Sequence, residues 1–203
     1  MDKFIDGYRQ FRASYFTQNK DTLAALMARP QRPTAMMISC SDSRIDPGLK
    51  FGVEPGDIFM VRNVANLVPP YAPDGDYHGT SAALEFAVQV LEVENIIVMG
   101  HAKCGGIGAL VRHQETAALD FVASWMRIAQ PAYEKAAAAT QDEAALQRLC
   151  EQEAVNVSLK NLMTFPWIKS RVSAGKLALH GWYFDLESGT LFRADSAGVF
   201  SAV

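Results

Sequence analysis

Two short stretches gather side chains that can hold a metal ion or move a proton: Cys40-Ser41-Asp42-Ser43-Arg44 and Gly100-His101-Ala102-Lys103-Cys104-Gly105-Gly106. Between them they offer two thiols, an imidazole and a carboxylate, the donor set that zinc favours. His101 and Cys104 stand three positions apart, so one tight turn can present both to a single ion. If Cys104 opens a helix, the free N–H groups and dipole of that terminus favour the thiolate that metal binding requires. Gly105 and Gly106 let the backbone turn sharply beside it. Each residue alone has an ordinary explanation. A cysteine at the end of a buried strand packs as a small hydrophobe, a lone histidine hydrogen-bonds within a loop, and an Asp-Arg pair supports a turn or forms a surface ion pair. A core gains nothing from placing all of them at matching strand ends, so the joint arrangement points to a site.

The elements that must position these groups are legible as apolar runs. Ala35 to Ile38, Ile58 to Val61 and Asn95 to Met99 read as buried strands. Between the second and third, Thr80 to Val90 predicts a helix capped by Thr80 or Ser81, which makes a β-α-β crossover and hence a parallel sheet. In such sheets ligands gather beyond the carboxyl ends of the strands, where both polar clusters fall. Phe4, Ile5, Tyr8, Phe11, Tyr15 and Phe16 recur at helical spacing and predict an amphipathic N-terminal helix from Phe4 to Met27. Gly105 to Arg112, Phe121 to Ala139, Asp142 to Phe165 and a short segment after Pro166 read as helices, with Pro131 marking a break or a start. Ala178 to Phe184 and Leu191 to Ala194 read as strand, turn and strand. The expected fold is α/β, a central and mostly parallel β-sheet flanked by helices, with an N-terminal helical arm and a C-terminal antiparallel edge. A length of 203 residues fits one domain, 1–203, of which 1–30 is the arm.

Composition narrows the function classes. The chain is 49% hydrophobic and 20% charged, ordinary for a globular protein. A net charge of -3 without a Lys/Arg block gives no attraction to phosphate backbones, so no nucleic-acid partner is expected. No apolar stretch approaches a membrane span and the start shows no targeting pattern, so the protein is expected to be cytoplasmic. Three cysteines, Cys40, Cys104 and Cys150, are too few and odd in number for a disulfide framework. Cys150 reads as core, Lys103 as a solvated charge, and His78, His113 and His180 as surface or structural residues.

Cys40-x-Asp42-x-Arg44 followed by His101-x-x-Cys104-Gly105-Gly106 resembles the paired signature of the β-class carbonic anhydrases. The resemblance continues through Gly56-Asp57-Ile58-Phe59-Met60-Val61-Arg62-Asn63-Val64-Ala65-Asn66 and His180-Gly181-Trp182, and covers about Gln31 to Asp185. It implies that Cys40, His101 and Cys104 bind Zn2+. Asp42 is then either a fourth ligand or, in the active form, an acceptor for the zinc-bound water. The implied reaction is the reversible hydration of carbon dioxide to bicarbonate and a proton by zinc-bound hydroxide, with an Asp42-Arg44 dyad orienting the nucleophile. Two thiolates and a neutral imidazole cancel the charge of zinc and acidify its water less than three histidines would, so activity should rise toward alkaline pH. Val68-Pro69-Pro70-Tyr71 most resembles the plant-type members, whose cleft lies at a dimer interface. Gln31 and Phe59 match their lining glutamine and phenylalanine, and the Gly105 N–H is a further donor to a bound oxygen. Phe86 stands where that subgroup has tyrosine. A second branch of the family resembles a bicarbonate-inhibited switch built on a tryptophan, an arginine and a tyrosine. Arg62 alone matches here, with Met37 and Phe184 at the other positions, so Asp42 is expected off the zinc and paired with Arg44. A homodimer or a multiple of dimers is implied.

Two other readings share these residues. The same chemistry could act on carbon disulfide or carbonyl sulfide, or the metal could be structural in a binding protein with Asp42 closing the fourth position. Thiol redox chemistry lacks the Cys-x-x-Cys pair.

Overall fold

The structure is a computed structural model that describes residues 1–112 and 119–203; His113 lies outside them. Three apolar runs build the centre of the sheet as strands Ala35–Cys40 (β1), Ile58–Asn63 (β2) and Asn95–His101 (β3), with β1 parallel to both neighbours. Every residue of β1 is buried, as a strand covered on both faces must be. Ala178–Phe184 (β4) adds in parallel to β3, and Leu191–Ala194 (β5) and Phe200–Ala202 (β6) follow antiparallel. The six strands lie in the order β2-β1-β3-β4-β5-β6. The sheet is therefore mostly parallel with an antiparallel edge, as expected. β1, β2 and β3 each run two residues beyond their apolar runs, because Ser39, Cys40, Arg62, Asn63, Gly100 and His101 still find ladder partners. That extension places Cys40 and His101 as the last residues of adjacent strands. β6 was not legible, since a three-residue edge strand carries no periodic signal.

Helices differ from expectation at their ends. The N-terminal helix is broken into Asp2–Phe11 (α1), a π turn at Arg12–Phe16 and Lys20–Met27 (α2), and none of their residues is buried. The Asn19 side chain donates to the Tyr15 carbonyl at the break, a local bond that competes with the helical ladder. A short helix, Pro47–Phe51 (α3), follows the first polar cluster, with Asp46 accepting the Leu49 N–H and Pro47 at its start. The crossover helix Gly79–Glu85 (α4) passes into a π turn at Phe86–Val90. Its cap is neither Thr80 nor Ser81: the chain becomes helical earlier, His78 stands at the cap position, and Thr80 Oγ1 instead accepts from Asn63 Nδ2 at 3.3 Å. Gly105–Val111 (α5), Val122–Met126 (α6) and Gln130–Ala139 (α7) follow, with Pro131 in the first turn of α7. The long helix Glu143–Leu162 (α8) is capped by Asp142, which accepts the Ala145 N–H at 2.9 Å, and Pro166–Ser173 (α9) leads into β4.

Helix α8 lies directly across β3 and β4 because two glycines let it. A Cβ at Gly100 would stand 2.8 Å from Val155 Cγ2, and one at Gly181 would stand 2.9 Å from Leu159 Cδ1. Gly100→Ala should therefore destabilise the fold by about 1–3 kcal/mol, the usual cost of overpacking, read as a lower urea midpoint.

Beyond β4, Asp185 accepts from Arg148 Nη1 at 2.9 Å and from the Glu187 and Ser188 N–H groups. The Arg148 hydrogen bond holds its carboxyl below the ordinary value of 3.8. A depressed carboxylate pKa contributes stability that is complete above the unfolded value and is lost as pH falls through the folded one. The melting-temperature difference between parent and Asp185→Asn should be full at pH 7 and shrink as the pH falls below 3.8.

Candidate metal centre

Cys40, His101 and Cys104 converge beyond the carboxyl ends of β1 and β3, with their ligand atoms all within 4.8 Å of one another. All three are buried, with exposures of 5%, 1% and 1%. The sulfurs of Cys40 and Cys104 are 3.9 Å apart, far beyond a disulfide bond. Two sulfurs bound to one tetrahedral zinc at about 2.3 Å would stand about 3.8 Å apart, so the spacing fits. His101 Nδ1 lies 2.9 Å from the Ala102 carbonyl oxygen. A carbonyl only accepts, so Nδ1 carries the proton and Nε2 presents its lone pair. That Nε2 is buried without a hydrogen-bond partner. An orphaned buried nitrogen beside two thiols is what a metal ligand looks like.

The local backbone explains the convergence. Cys104 is the N-terminal cap residue of α5, so its sulfur lies beside the backbone N–H groups of Gly106 and Ile107, which favour its thiolate. Cys40 Sγ accepts the Asp42 N–H at 3.4 Å. A hydrogen bond between the two sulfurs, with Cys104 as donor, lowers the Cys40 pKa, while that bond and burial push Cys104 up. Burial works against a charged His101, but the nearby Cys40 sulfur, with its charge, and the Ala102 carbonyl prevail and raise its pKa. Lys103, between the ligands of the second turn, has φ 56°, a left-handed conformation that the surroundings must hold.

Asp42 does not join the ligand group. Its carboxylate accepts from the Arg44 N–H at 2.9 Å, from Nε at 2.9 Å and from Nη2 at 2.7 Å. The Arg44 side chain thereby holds the carboxyl well below the usual range. Arg44 Nη2 also donates to the Lys103 carbonyl at 3.0 Å and so ties the two ligand loops together.

The carbonic anhydrase family model matches residues 35–191. The chain belongs to that family, in its β class. β-Carbonic anhydrase 3 of Arabidopsis thaliana is 37% identical over 196 residues, which are 94% of this chain and 75% of that protein. The chloroplastic β-carbonic anhydrase 5 of the same plant is 42% identical over 162 residues, 78% of this chain; that match spans about half, 53%, of the relative's length. The solved β-carbonic anhydrase CcaA superposes with a TM-score of 0.91 at 34% identity, covering 100% of this chain and 92% of that one. A tetrameric β-carbonic anhydrase from Sordaria macrospora gives 0.82 at 27% identity, covering 99% and 98%. The plant relatives agree with the plant-type resemblance, and zinc is the cofactor of the class.

Within this carbonic anhydrase chain, two expected site residues lie elsewhere. Phe59 is the register partner of Met36, four residues before Cys40, hence about 13 Å up the sheet. Its ring meets Phe86 at 5.9 Å, and Gln31 lines a cleft of about 730 Å³ with Phe86 and Val90. Gln31 and Phe59 thus gather at the amino ends of the strands, away from the sulfurs of their own chain. Gly105 is exposed in the first turn of α5, beside the ligands. Of the other residues weighed, Lys103 is exposed and paired with Glu187, His78 pairs with Asp74, His180 with Asn95, and Cys150 is fully buried.

Two supporting side chains were not read as such from sequence. Arg62 donates to the carbonyls of Cys40 at 3.0 Å, Asp42 at 2.7 Å and Ile45 at 2.5 Å, bracing the whole first loop from β2. Glu151 reaches the Cys104 N–H from α8 at 2.9 Å. An acid on the apolar face of a helical pattern was the available signal for Glu151. For Arg62 only the strand alternation could have served. No described helix is long and apolar enough to cross a membrane.

Proposed function

We propose that this chain catalyses the reversible hydration of carbon dioxide to bicarbonate, with Cys40, His101 and Cys104 holding Zn2+. The reading is carried by the unpartnered His101 Nε2 facing two sulfurs at metal-sharing distance. Zinc in that donor set would supply a Lewis acid that lowers the pKa of water, less than three neutral histidines would, and so makes it nucleophilic toward alkaline pH. The chain's own contribution is orientation. Asp42, kept ionised and fixed by the Arg44 fork, is an acceptor aimed from beside the ligands, and it takes a hydrogen bond from the attacking water's O–H so that a lone pair faces carbon dioxide. The Gly105 N–H donates to the product's oxygen. Gln31 and Phe59 of a second copy complete the cleft, because their own chain places them at the far end of the sheet. Gln31 then donates to a substrate oxygen while Phe59 excludes water. This makes the working unit a homodimer or a multiple of dimers, with the exposed apolar face of residues 1–30 as an arm and the rest of 1–203 as the same domain. Three unpaired thiols suit a reducing compartment such as the cytoplasm.

The test is stopped-flow hydration of carbon dioxide on protein of measured zinc content and measured mass in solution. A zinc-loaded dimer should hydrate carbon dioxide. Loaded protein inactive at neutral and alkaline pH would sink the reading.

A further inference from the structure

Helix α8 passes beneath the second ligand turn and sets a carboxylate against it. Glu151 is only 3% exposed, on the face of α8 that packs against β3. Its Oε1 accepts the Cys104 N–H at 2.9 Å and Gln147 Nε2 at 2.9 Å, and its Oε2 accepts the Tyr183 O–H at 2.8 Å. Gln147 Nε2 also reaches the Cys104 carbonyl at 3.5 Å. Two side chains one turn apart on α8 therefore hold both polar groups of Cys104. Burying a carboxylate is costly, and an apolar side chain of similar size would fill the same space without that cost. What an apolar residue cannot do is accept the Cys104 N–H. The turn needs such a hold, since Lys103 just before it is left-handed and is tied from the other side by Arg44. The close approach also depends on Gly100, where a Cβ would lie 2.8 Å from Val155 Cγ2, one turn along the same helix from Glu151.

We infer that Glu151 is a positioning residue of the metal centre: by accepting the Cys104 N–H it fixes the direction of Cys104 Sγ toward Cys40 and His101, and so slows the loss of zinc. Tyr183 and Gln147 act through it by fixing its two oxygens. The inference rests on the reading that Cys40, His101 and Cys104 hold zinc.

The experiment compares parent, Glu151→Ala and Glu151→Gln as full-length protein. It reads zinc release to a chelating dye and the thiolate-to-metal band of the cobalt(II)-substituted forms. Loss of an outer partner of a metal ligand typically weakens retention about 10- to 100-fold. Glu151→Ala should release zinc faster by that factor, with an altered cobalt band. Glu151→Gln, whose amide oxygen can still accept the Cys104 N–H while its NH2 faces the Tyr183 oxygen, should restore retention most of the way. A purely structural role would lower the melting temperature and leave both readouts unmoved, which would overturn the inference. A Glu151→Gln as leaky as Glu151→Ala would also overturn it. If circular dichroism shows Glu151→Ala unfolded, the double variant Gln147→Ala with Tyr183→Phe takes its place, and parental zinc release from that variant counts against the inference. Parent protein that binds no zinc would sink the metal reading itself, whereas zinc-bound parent with an unaffected Glu151→Ala sinks this inference alone.

Discussion

Cys104→Ser is expected to abolish stoichiometric zinc binding and to lower the carbon dioxide hydration rate by more than the roughly 100-fold upper range for losing an outer partner of a metal ligand. Serine keeps the volume and the cap position of α5, but its alcohol stays protonated where a thiolate is required. The remaining pair, Cys40 and His101, then offers one sulfur and one nitrogen on adjacent strand ends, too few donors for a closed tetrahedral set. Cys150→Ser is the matched control. Cys150 is fully buried, at 0% exposure, and lies outside the ligand group. It should keep zinc and activity and lose only stability, by about 1–3 kcal/mol for a buried hydroxyl without a partner. Metal content by mass spectrometry on the two variants separates them. Equal zinc in parent and Cys104→Ser would remove Cys104 from the centre.

How the sequence exposes this centre follows from where the information sits. The strands were legible because β1 and β3 are covered on both faces and read as unbroken apolar runs. Parallel pairing then forced both polar clusters to one end of the sheet, so the meeting of Cys40 with His101 needed no long-range guess. What escaped was set by partners far along the chain. Arg62 looks like an exposed strand residue until the loop carbonyls of Cys40, Asp42 and Ile45 are seen around its guanidinium. Glu151 looks like one more charge on a long helix until Gly100 lets α8 settle onto β3. Gln31 and Phe59 are a different case: resemblance assigned them to a cleft at a dimer interface, and within a single chain Phe59 stands a strand's length from the sulfurs.

Asp42→Asn is expected to reduce hydration by about 10²- to 10⁴-fold, the range for loss of a positioned proton-accepting group, while zinc content stays at the parental level. The geometry gives both halves of that expectation. Asp42 stands outside the ligand group, so its loss leaves the metal donors intact. Its two oxygens, however, are filled on one side by the Arg44 N–H, Nε and Nη2. An amide in that position must turn its NH2 either toward the guanidinium, where donor meets donor, or toward the reacting water, where it can no longer accept. Arg44→Lys should cost less than Asp42→Asn but more than a surface ion pair would, since a lysine keeps the charge and loses the fork and the bond to the Lys103 carbonyl. Because that bond joins the loops carrying Cys40 and Cys104, Arg44→Lys should also speed zinc release, which Asp42→Asn should not. Rates and zinc release measured on both variants thus separate the acceptor from the strut. An Asp42→Asn enzyme with parental rates would leave Arg44 a strut between loops and Asp42 without a part in the reaction.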